Sequence, residues 1–323
     1  MKLLKTYENK VDRIYPKKDY IQSMTRFYSN GKLLLTGEYV VLDGALSLAL
    51  PTKYGQSLIV KPIDTNTIEW KSTNEKGMVW FKDSITISEN NIISNNRNNP
   101  ISERLIQILQ ETKVLNPKFL NSGYTVESHL TFPRNWGLGS SSTLLNNIAN
   151  WADVNPYQLL DKTFGGSGYD IACAQHDTAI SYQLHNKNRD VNPVHFNPKF
   201  KEHLYFVYLN QKQNSRDGIA NYRQASKNNT DAISEINTIT NQMIACETIS
   251  EFNLLLHTHE EIISKLIQQP TVKARLFSDF PGELKSLGAW GGDFVLVSST
   301  ENPERYFKAK GYHTLIKYQD LIL

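Results

Sequence analysis

The segment from Tyr124 to Trp151 constrains this chain more than any other. Tyr124, Val126, Ser128, Leu130 and Phe132 alternate with Thr125, Glu127, His129 and Thr131, the period of a strand with one wetter face. The strand runs into Pro133, and the composition of Ser140–Trp151 predicts a helix. Between them lies Pro133-Arg134-Asn135-Trp136-Gly137-Leu138-Gly139-Ser140-Ser141-Ser142-Thr143. Glycines between a strand and a helix let the backbone approach a ligand, while the helix start aims free N–H groups and a positive dipole end at it. The pattern therefore reads as an anion cradle built from Gly137, Leu138, Gly139, Ser140, Ser141 and Ser142, whose hydroxyls can reach phosphate oxygens and Mg²⁺. It has neither the G-x-x-x-x-G-K-[ST] pattern of a Walker loop nor the third glycine of a dinucleotide fingerprint, since Ser142 stands there. The alternative is a Gly-Ser turn that only caps a helix.

Length and composition set the frame for that loop. A chain of 323 residues, 40% apolar and 21% charged, predicts two globular domains, each able to bury its own core. Two cysteines, Cys173 and Cys246, cannot build a disulfide framework, so free thiols and a cytoplasmic setting are expected. No apolar run approaches the ~18 residues of a membrane span. Residues 1–23 carry six Lys/Arg against three Asp/Glu, which accounts for the whole net charge of +3. The remainder is balanced, so no nucleic-acid footprint is expected. Residues 1–23 read as an N-terminal extension.

Elsewhere the chain mixes strands and helices. From Arg26 to Val60 three apolar stretches, at 33–35, 39–42 and 46–50, predict a strand-rich opening. Short strands are expected at Thr67–Trp70 and Met78–Phe81, and a loop at 90–99, where six Asn gather. Helices are expected after Pro100 and Pro156, and a helix then a strand over Tyr169–Leu184. The polar stretch 185–202 predicts a domain break, placed between residues 190 and 191. Beyond it come a strand at His203–Leu209, helices from Ser215, over 231–247 and over 251–268, a strand at Phe294–Ser298, a helix after Pro303 and a strand at Tyr312–Tyr318. The fold class is α+β.

Two more segments accompany the loop. Ser29-Asn30-Gly31-Lys32-Leu33-Leu34-Leu35-Thr36-Gly37-Glu38-Tyr39 sets a Lys and a Glu at opposite ends of an apolar strand, and Gly288-Ala289-Trp290-Gly291-Gly292-Asp293 precedes a strand near the end. Three such segments in this order resemble the three motifs of the GHMP kinases, the superfamily of galactokinase, homoserine kinase, mevalonate kinase and phosphomevalonate kinase. The resemblance spans residues 24 to about 300. It implies an N-terminal ATP-binding domain over 24–190 with the ribosomal-protein-S5-domain-2-like fold, a ferredoxin-like C-terminal domain over 191–323, and ATP with Mg²⁺ and a small-molecule substrate between them.

The resemblance also implies roles. Asp170, in Gly165-Gly166-Ser167-Gly168-Tyr169-Asp170, corresponds to the catalytic base, and Lys32 to the lysine facing the same acceptor oxygen, where an ammonium keeps the carboxylate ionised. Ser141 corresponds to the Mg²⁺ ligand, with Ser140 and Ser142 on phosphate. Glu38 supports the site through ion pairing or metal contacts. The substrate set it implies is Lys32, Glu38, Lys212, Ser215, Arg216, Gly291 and Gly292, with Lys212 and Arg216 pairing a substrate phosphate. Mevalonate kinases place a second metal ligand, a Glu, about a dozen residues before the base; here the nearest carboxylate is Asp161. His176, His257 and His259 are expected to be structural, because 257 and 259 lie on different helix faces.

Tyr39, the Tyr169-Asp170-Ile171-Ala172 segment and Asp293 resemble phosphomevalonate kinases rather than mevalonate kinases. The expectation is an ATP-dependent kinase of a mevalonate-pathway intermediate, 5-phosphomevalonate ahead of mevalonate. The reading from a different class is a non-catalytic ATP- or ligand-binding protein of the same fold, and the sequence carries no handle on oligomeric state.

Overall fold

The computed structural model describes residues 24–88, 91–96, 98–186, 188–211, 215–225, 229–288, 290 and 292–323. The N-terminal half is one sheet of eight strands: β1 (Thr25–Leu34), β2 (Ser47–Ile63), β3 (Thr67–Thr73), β4 (Val79–Ile87), β5 (Ile92–Ser94), β6 (Gly123–Leu130), β7 (Ile180–His185) and β8 (Asn188–Pro193). They run in the order β5-β4-β3-β6-β2-β7-β8, with β1 paired to β2. All neighbours are antiparallel except β3 and β6. The long β2 organises the sheet. β1 covers one edge of it from Ala49 to Val60, while β6 takes Gln56–Ile63 and β7 takes Ser47–Ala49 on the other. β6 leaves that edge before β7 begins, and the glycine loop that follows β6 reaches β1, where Leu138 O accepts from Lys32 N at 3.0 Å.

Helices α1 (Pro100–Leu115), α2 (Ser140–Ala152), α3 (Pro156–Thr163) and α4 (Tyr169–Ala174) lie on this sheet. Leu105, Ile108 and Leu109 of α1 and Leu145, Ile148 and Ala149 of α2 share one buried cluster with Leu58, Val60, Trp70 and Val126 of the strands. The apolar spacing of these helices turns one face to the sheet.

The C-terminal half is an antiparallel sheet in the order β10-β11-β9-β12, from β9 (Leu204–Tyr208), β10 (Glu283–Ser286), β11 (Phe294–Ser298) and β12 (Leu315–Lys317). Helices α5 (Ser215–Ala225), α6 (Thr230–Ala245), α7 (Ile249–Ile267) and α8 (Val272–Leu276) precede β10, and α9 (Glu304–Ala309) and α10 (Tyr318–Leu321) follow β11. Leu33, Leu35, Tyr39 and Leu138 of the first half are buried in one cluster with Phe206, Leu256, Trp290 and Phe294 of the second. The two halves are therefore joined through a shared core at the place where the three glycine-containing segments meet.

The structure departs from the sequence reading at definite points. The break drawn at 190 falls inside β8, because Asn188–Pro193 zip onto β7 through the hairpin at residue 186. The apolar stretch 39–42 is no strand. Tyr39 takes a positive φ of 64°, and Val40–Asp43 form a 3₁₀ turn. Within the Asn-rich 90–99, Ile92–Ser94 pair with β4 as a short strand. The closing strand is only Leu315–Lys317, after which Tyr318 starts α10. Strand β10 and helix α8 are additions that the sequence reading did not contain. Both cysteines are free and buried, and no helix among the described residues is long and apolar enough to cross a membrane.

Candidate active site

The glycine loop is folded as its composition dictates. Gly137 and Gly139 take φ of +68° and +91°, a region that L side chains enter at a cost of roughly 1 kcal/mol or more. A Cβ on Gly137 would stand 2.5 Å from the Asp293 carboxyl group, and one on Gly139 would stand 2.8 Å from Ser142 Oγ and 3.2 Å from Lys32 Cγ. The loop is thus a close-approach site in which any side chain would fill the space. Gly139 is the N-cap of α2, and no side chain caps that helix. In α1, α3 and α7 the equivalent N–H groups are taken by Asn99, Asn155 and Thr248. The first N–H groups of α2 therefore open into the cleft, where they suit an anion.

The three serines diverge. Ser141 is exposed and Ser140 half-buried. Ser142 is buried, and its hydroxyl donates to Gly139 O at 2.9 Å. Its hydroxyl is also placed to bond the Asp170 carboxylate, and the phosphate contact expected of Ser142 stays a proposal.

Lys32 lies at the junction. Its backbone N–H donates to Leu138 O at 3.0 Å, its Nζ donates to Gly137 O at 2.8 Å, and the ammonium stands 5.7 Å from the centre of the Tyr169 ring. Burial disfavours the charged ammonium, but Tyr169, Asp293 and Asp170 outweigh it and hold the Lys32 pKa above its ordinary value. Asp170 enters from the first turn of α4, after Gly165, Gly166 and Gly168 at φ of +66°, +98° and +93°. Its Oδ1 accepts from Ile171 N at 3.0 Å. Burial raises the pKa of Asp170, against the pull of Lys32 and the Ser142 hydroxyl. A carboxylate made more basic beside a persistent ammonium is suited to taking a proton from a bound hydroxyl.

The third segment closes the other wall. Asp293, at φ +54°, abuts Gly137. Trp290 N donates to the Tyr39 hydroxyl at 3.0 Å. Gly292 is buried in the same turn. Lys212 and Gly291 lie outside the described residues, as do the side chains of Ser215 and Arg216, so the substrate contacts expected there stay proposals. Together the three segments enclose a cleft of about 1020 Å³, lined by Lys32, Glu38, Gly137, Gly139, Ser140–Ser142, Asp170 and Asp293 among others. A shallower depression of about 630 Å³ on the β3–β4–β6 face gathers none of the motif residues.

No family model matches the sequence, and no curated protein matches it. Solved structures do. The Streptococcus pneumoniae phosphomevalonate kinase in complex with phosphomevalonate and AMPPNP aligns with TM-score 0.65 at 15% identity, covering 93% of this chain and 98% of that one. The Methanococcus jannaschii mevalonate kinase aligns with TM-score 0.63 at 16% identity (91% and 95%), and the Lactococcus lactis galactokinase complexed with galactose with 0.66 at 12% (97% and 98%). This chain has the GHMP-kinase fold.

Within that GHMP-kinase fold, Glu38 takes the ion-pairing form of the support expected of it. Its carboxylate is 1% exposed and is engaged by the Lys285 ammonium of β10, with His259 Nε2 at 3.4 Å. His259, which is buried, accepts from Gly37 N at 2.9 Å; burial and Lys285 hold its pKa well below the ordinary imidazole value. The structural role expected of His259 thus has a definite form, the support of the motif-one turn. Asp161 is paired at 2.6 Å with Arg189 of β8. Arg189 also donates to Ser167 O at 3.2 Å, and the Tyr182 hydroxyl bonds the same oxygen. Asp161 thus braces the Gly165–Gly168 loop. Among the described residues no group of three or more His, Cys, Asp or Glu is arranged to hold a metal ion.

Sequence reasoning missed Lys285 and Arg189. Nothing local signals Lys285: it sits in Glu283-Leu284-Lys285-Ser286-Leu287, and only the packing of β10 shows that it is buried and needs a partner.

Proposed function

We propose that this protein is an ATP-dependent small-molecule kinase whose acceptor is a mevalonate-pathway intermediate, 5-phosphomevalonate ahead of mevalonate. The observation that carries the reading is the convergence of Lys32, Asp170 and the uncapped start of α2 on one cleft. Phosphoryl transfer needs alignment, charge neutralisation and, for a hydroxyl acceptor, a base. The two ionisable groups and the N–H groups of α2 are of the types that this requires.

In this reading the backbone of Gly137–Gly139, the first N–H groups of α2 and the Ser140 and Ser141 hydroxyls hold the triphosphate of ATP. The glycines fit it, since any side chain at Gly137 or Gly139 would collide with Asp293, Ser142 or Lys32 and only a bare backbone keeps the loop in this shape for a phosphate. ATP supplies the phosphoryl group, and its Mg²⁺ neutralises charge on it. With Glu38 engaged by Lys285, Ser141 is the protein ligand left for a metal otherwise carried by phosphates and water, a usual arrangement for Mg²⁺. Asp170 accepts the proton of an acceptor hydroxyl. Lys32 keeps Asp170 ionised and offsets charge that develops on the acceptor oxygen. An acceptor that is already an ionised phosphate needs no base, and Asp170 then orients it.

The phosphorylated acceptor is favoured by resemblance: Tyr39, the Tyr169-Asp170-Ile171-Ala172 segment and Asp293 are similar to those of phosphomevalonate kinases. The C-terminal domain in this reading begins past β8 and runs to residue 323. The test is ATP consumption by the purified protein with mevalonate, 5-phosphomevalonate, galactose and homoserine. Turnover with either mevalonate compound at least tenfold above the other two is the expected result. Nucleotide binding with no turnover on any acceptor would favour the non-catalytic reading.

A further inference from the structure

Asp170 reaches the cleft on a segment with little shape of its own. Gly165, Gly166 and Gly168 all take positive φ, and nothing lies within 4 Å of the space a Cβ would take on Gly165 or Gly166. Helix α3 holds one end of the segment, where Gly165 N donates to Leu160 O at 2.8 Å, and α4 the other, where Ala172 N donates to Gly168 O at 3.1 Å. Between these bonds the glycines leave the backbone a wide choice of conformations. Asp170 follows at once, in the first turn of a helix of only 6 residues.

Ser167 is where the segment is tied down. It is buried, and its carbonyl oxygen accepts twice, from the Tyr182 hydroxyl of β7 and from Arg189 Nε of β8 at 3.2 Å. Arg189 is itself fixed from several directions. Its Nη2 donates to Asp161 Oδ1 of α3 at 2.6 Å, and its guanidinium lies 4.9 Å from the centre of the Tyr157 ring on the same helix. A Cβ on Gly168 would stand 2.9 Å from Arg189 Nε and 3.2 Å from Tyr157 Cδ1. The side chain keeps 13% of its exposure. One planar fork thus joins β8, α3 and the glycine segment, using separate N–H groups for separate acceptors, which the single ammonium of a lysine does not reproduce.

We propose that Arg189 is a positioning residue for Asp170: by clamping Ser167 O to α3 and to the β7–β8 hairpin, it fixes how far the base reaches into the cleft. The inference rests on the kinase reading above for what Asp170 does, and adds what keeps it in place. Among the described residues, Ser167 and Asp170 line the cleft and Arg189 does not, so Arg189 acts through the segment rather than on the reactants. Asp161 serves the same clamp by holding the other edge of the guanidinium. A displacement of about 1 Å in a reacting group costs on the order of 100-fold in rate. The nucleotide, in that reading, is held by a different loop, Gly137–Gly139 with the start of α2, so loss of the clamp falls on turnover and spares ATP binding.

The experiment measures kcat and the KM for ATP with whichever of mevalonate, 5-phosphomevalonate, galactose and homoserine the wild type turns over fastest. The proteins compared are the wild type, Arg189→Gln, Arg189→Lys, Asp170→Asn and the double variant Arg189→Gln/Asp170→Asn. Arg189→Gln should lower kcat by about 10- to 100-fold and leave the KM for ATP within about twofold. Arg189→Lys, which restores the charge and one donor, should recover part of the rate. In the Asp170→Asn background the loss of Arg189 should cost less than about threefold more, because the group it positions is gone. Lys162→Gln is the control: it removes the α3–α1 ion pair of Lys162 with Glu111, 3.5 Å apart, and should leave kcat unchanged. An unchanged kcat in Arg189→Gln, or an equal loss with and without Asp170, overturns the inference and leaves the kinase reading standing. If the wild type turns over no acceptor, the kinase reading fails and amide hydrogen exchange over residues 164–170 decides the clamp. Exchange faster by about tenfold or more in Arg189→Gln than in the wild type then supports it, and an equal rate overturns it.

Discussion

Lys285 of β10 and Glu38 of the motif-one turn stand 247 residues apart in the chain and form an ion pair in which neither side chain keeps more than 1% of its exposure. The pair joins the small sheet to the turn that follows β1. Around it, His259 of α7 accepts from Gly37 N at 2.9 Å, and Trp290 N donates to the Tyr39 hydroxyl at 3.0 Å. Three consecutive residues of one turn, Gly37, Glu38 and Tyr39, are therefore held by the C-terminal half. Glu260 completes the cluster, with Oε1 3.8 Å from Lys285 Nζ.

The first prediction follows from the cost of a buried unpaired charge. Lys285→Met leaves Glu38 without its cation and should destabilise the fold by about 3–5 kcal/mol. The double variant Glu38→Gln/Lys285→Met removes both charges and should recover most of that loss. Urea unfolding of the wild type, both single variants and the double variant gives the coupling directly; additive losses would mean that the two side chains do not act as a pair.

The second concerns pH. Burial pushes the Glu260 pKa up to about 8, against the pull of Lys285, with Glu38 adding to the rise. Between its unfolded value, near 4.5, and about 8, the folded state holds a proton on Glu260 that the unfolded state lacks, so stability falls as pH rises through that window. His259 works in the opposite sense. Its folded pKa lies well below 6.5, so the unfolded state holds the extra proton below pH 6.5 and stability falls as pH is lowered. From about 4.5 to 6.5 the two effects oppose each other, and above 6.5 Glu260 alone acts. Glu260→Gln should therefore raise Tm relative to the wild type by a few °C at pH 8.5, with the gap shrinking steadily toward pH 5. A gap independent of pH would assign the ionisation elsewhere.

How much of this was legible beforehand divides along physical lines. The glycine loop, Lys32 and Asp170 were readable because close backbone approach and helix-start geometry demand particular residues at short spacing. The strand and helix periodicities placed most elements of both sheets. Lys285, Glu260 and Arg189 were not readable, since their partners lie on other elements and nothing in local periodicity encodes a tertiary ion pair. Glu38 illustrates the difference. Its motif position is local, but its engagement by Lys285 depends on how β10 packs on the turn. The 3₁₀ turn at Val40–Asp43 was misread as strand because an apolar run is the same in both; the positive φ of Tyr39 that breaks it is set by the contacts of Glu38 and Tyr39 with the other half.

A third prediction tests the cradle. Gly139→Ala places a Cβ 2.8 Å from Ser142 Oγ and close to Lys32, which should weaken AMPPNP binding more than tenfold while the circular dichroism stays that of the wild type. Gly77→Ala is the control. Its φ of +74° is similar but nothing lies within 4 Å of the added atom, so it should cost roughly 1 kcal/mol of stability and leave nucleotide affinity unchanged. Equal nucleotide affinity in the two variants would remove the loop from the binding site.

Asp170 stands, in the proposed function, at the reacting atoms of a phosphoryl transfer. The direct measurement is the rate at which the γ-phosphoryl group of ATP appears on 5-phosphomevalonate and on mevalonate, the acceptor whose hydroxyl needs a base, followed by phosphorus NMR, with the wild type and Asp170→Asn at saturating nucleotide. The predicted result is transfer by the wild type, a loss of roughly 100-fold or more in the variant, as a positioned base contributes, and AMPPNP affinity that is nearly the same in both. Transfer in Asp170→Asn within tenfold of the wild type, or no transfer by the wild type to mevalonate or 5-phosphomevalonate, would contradict it.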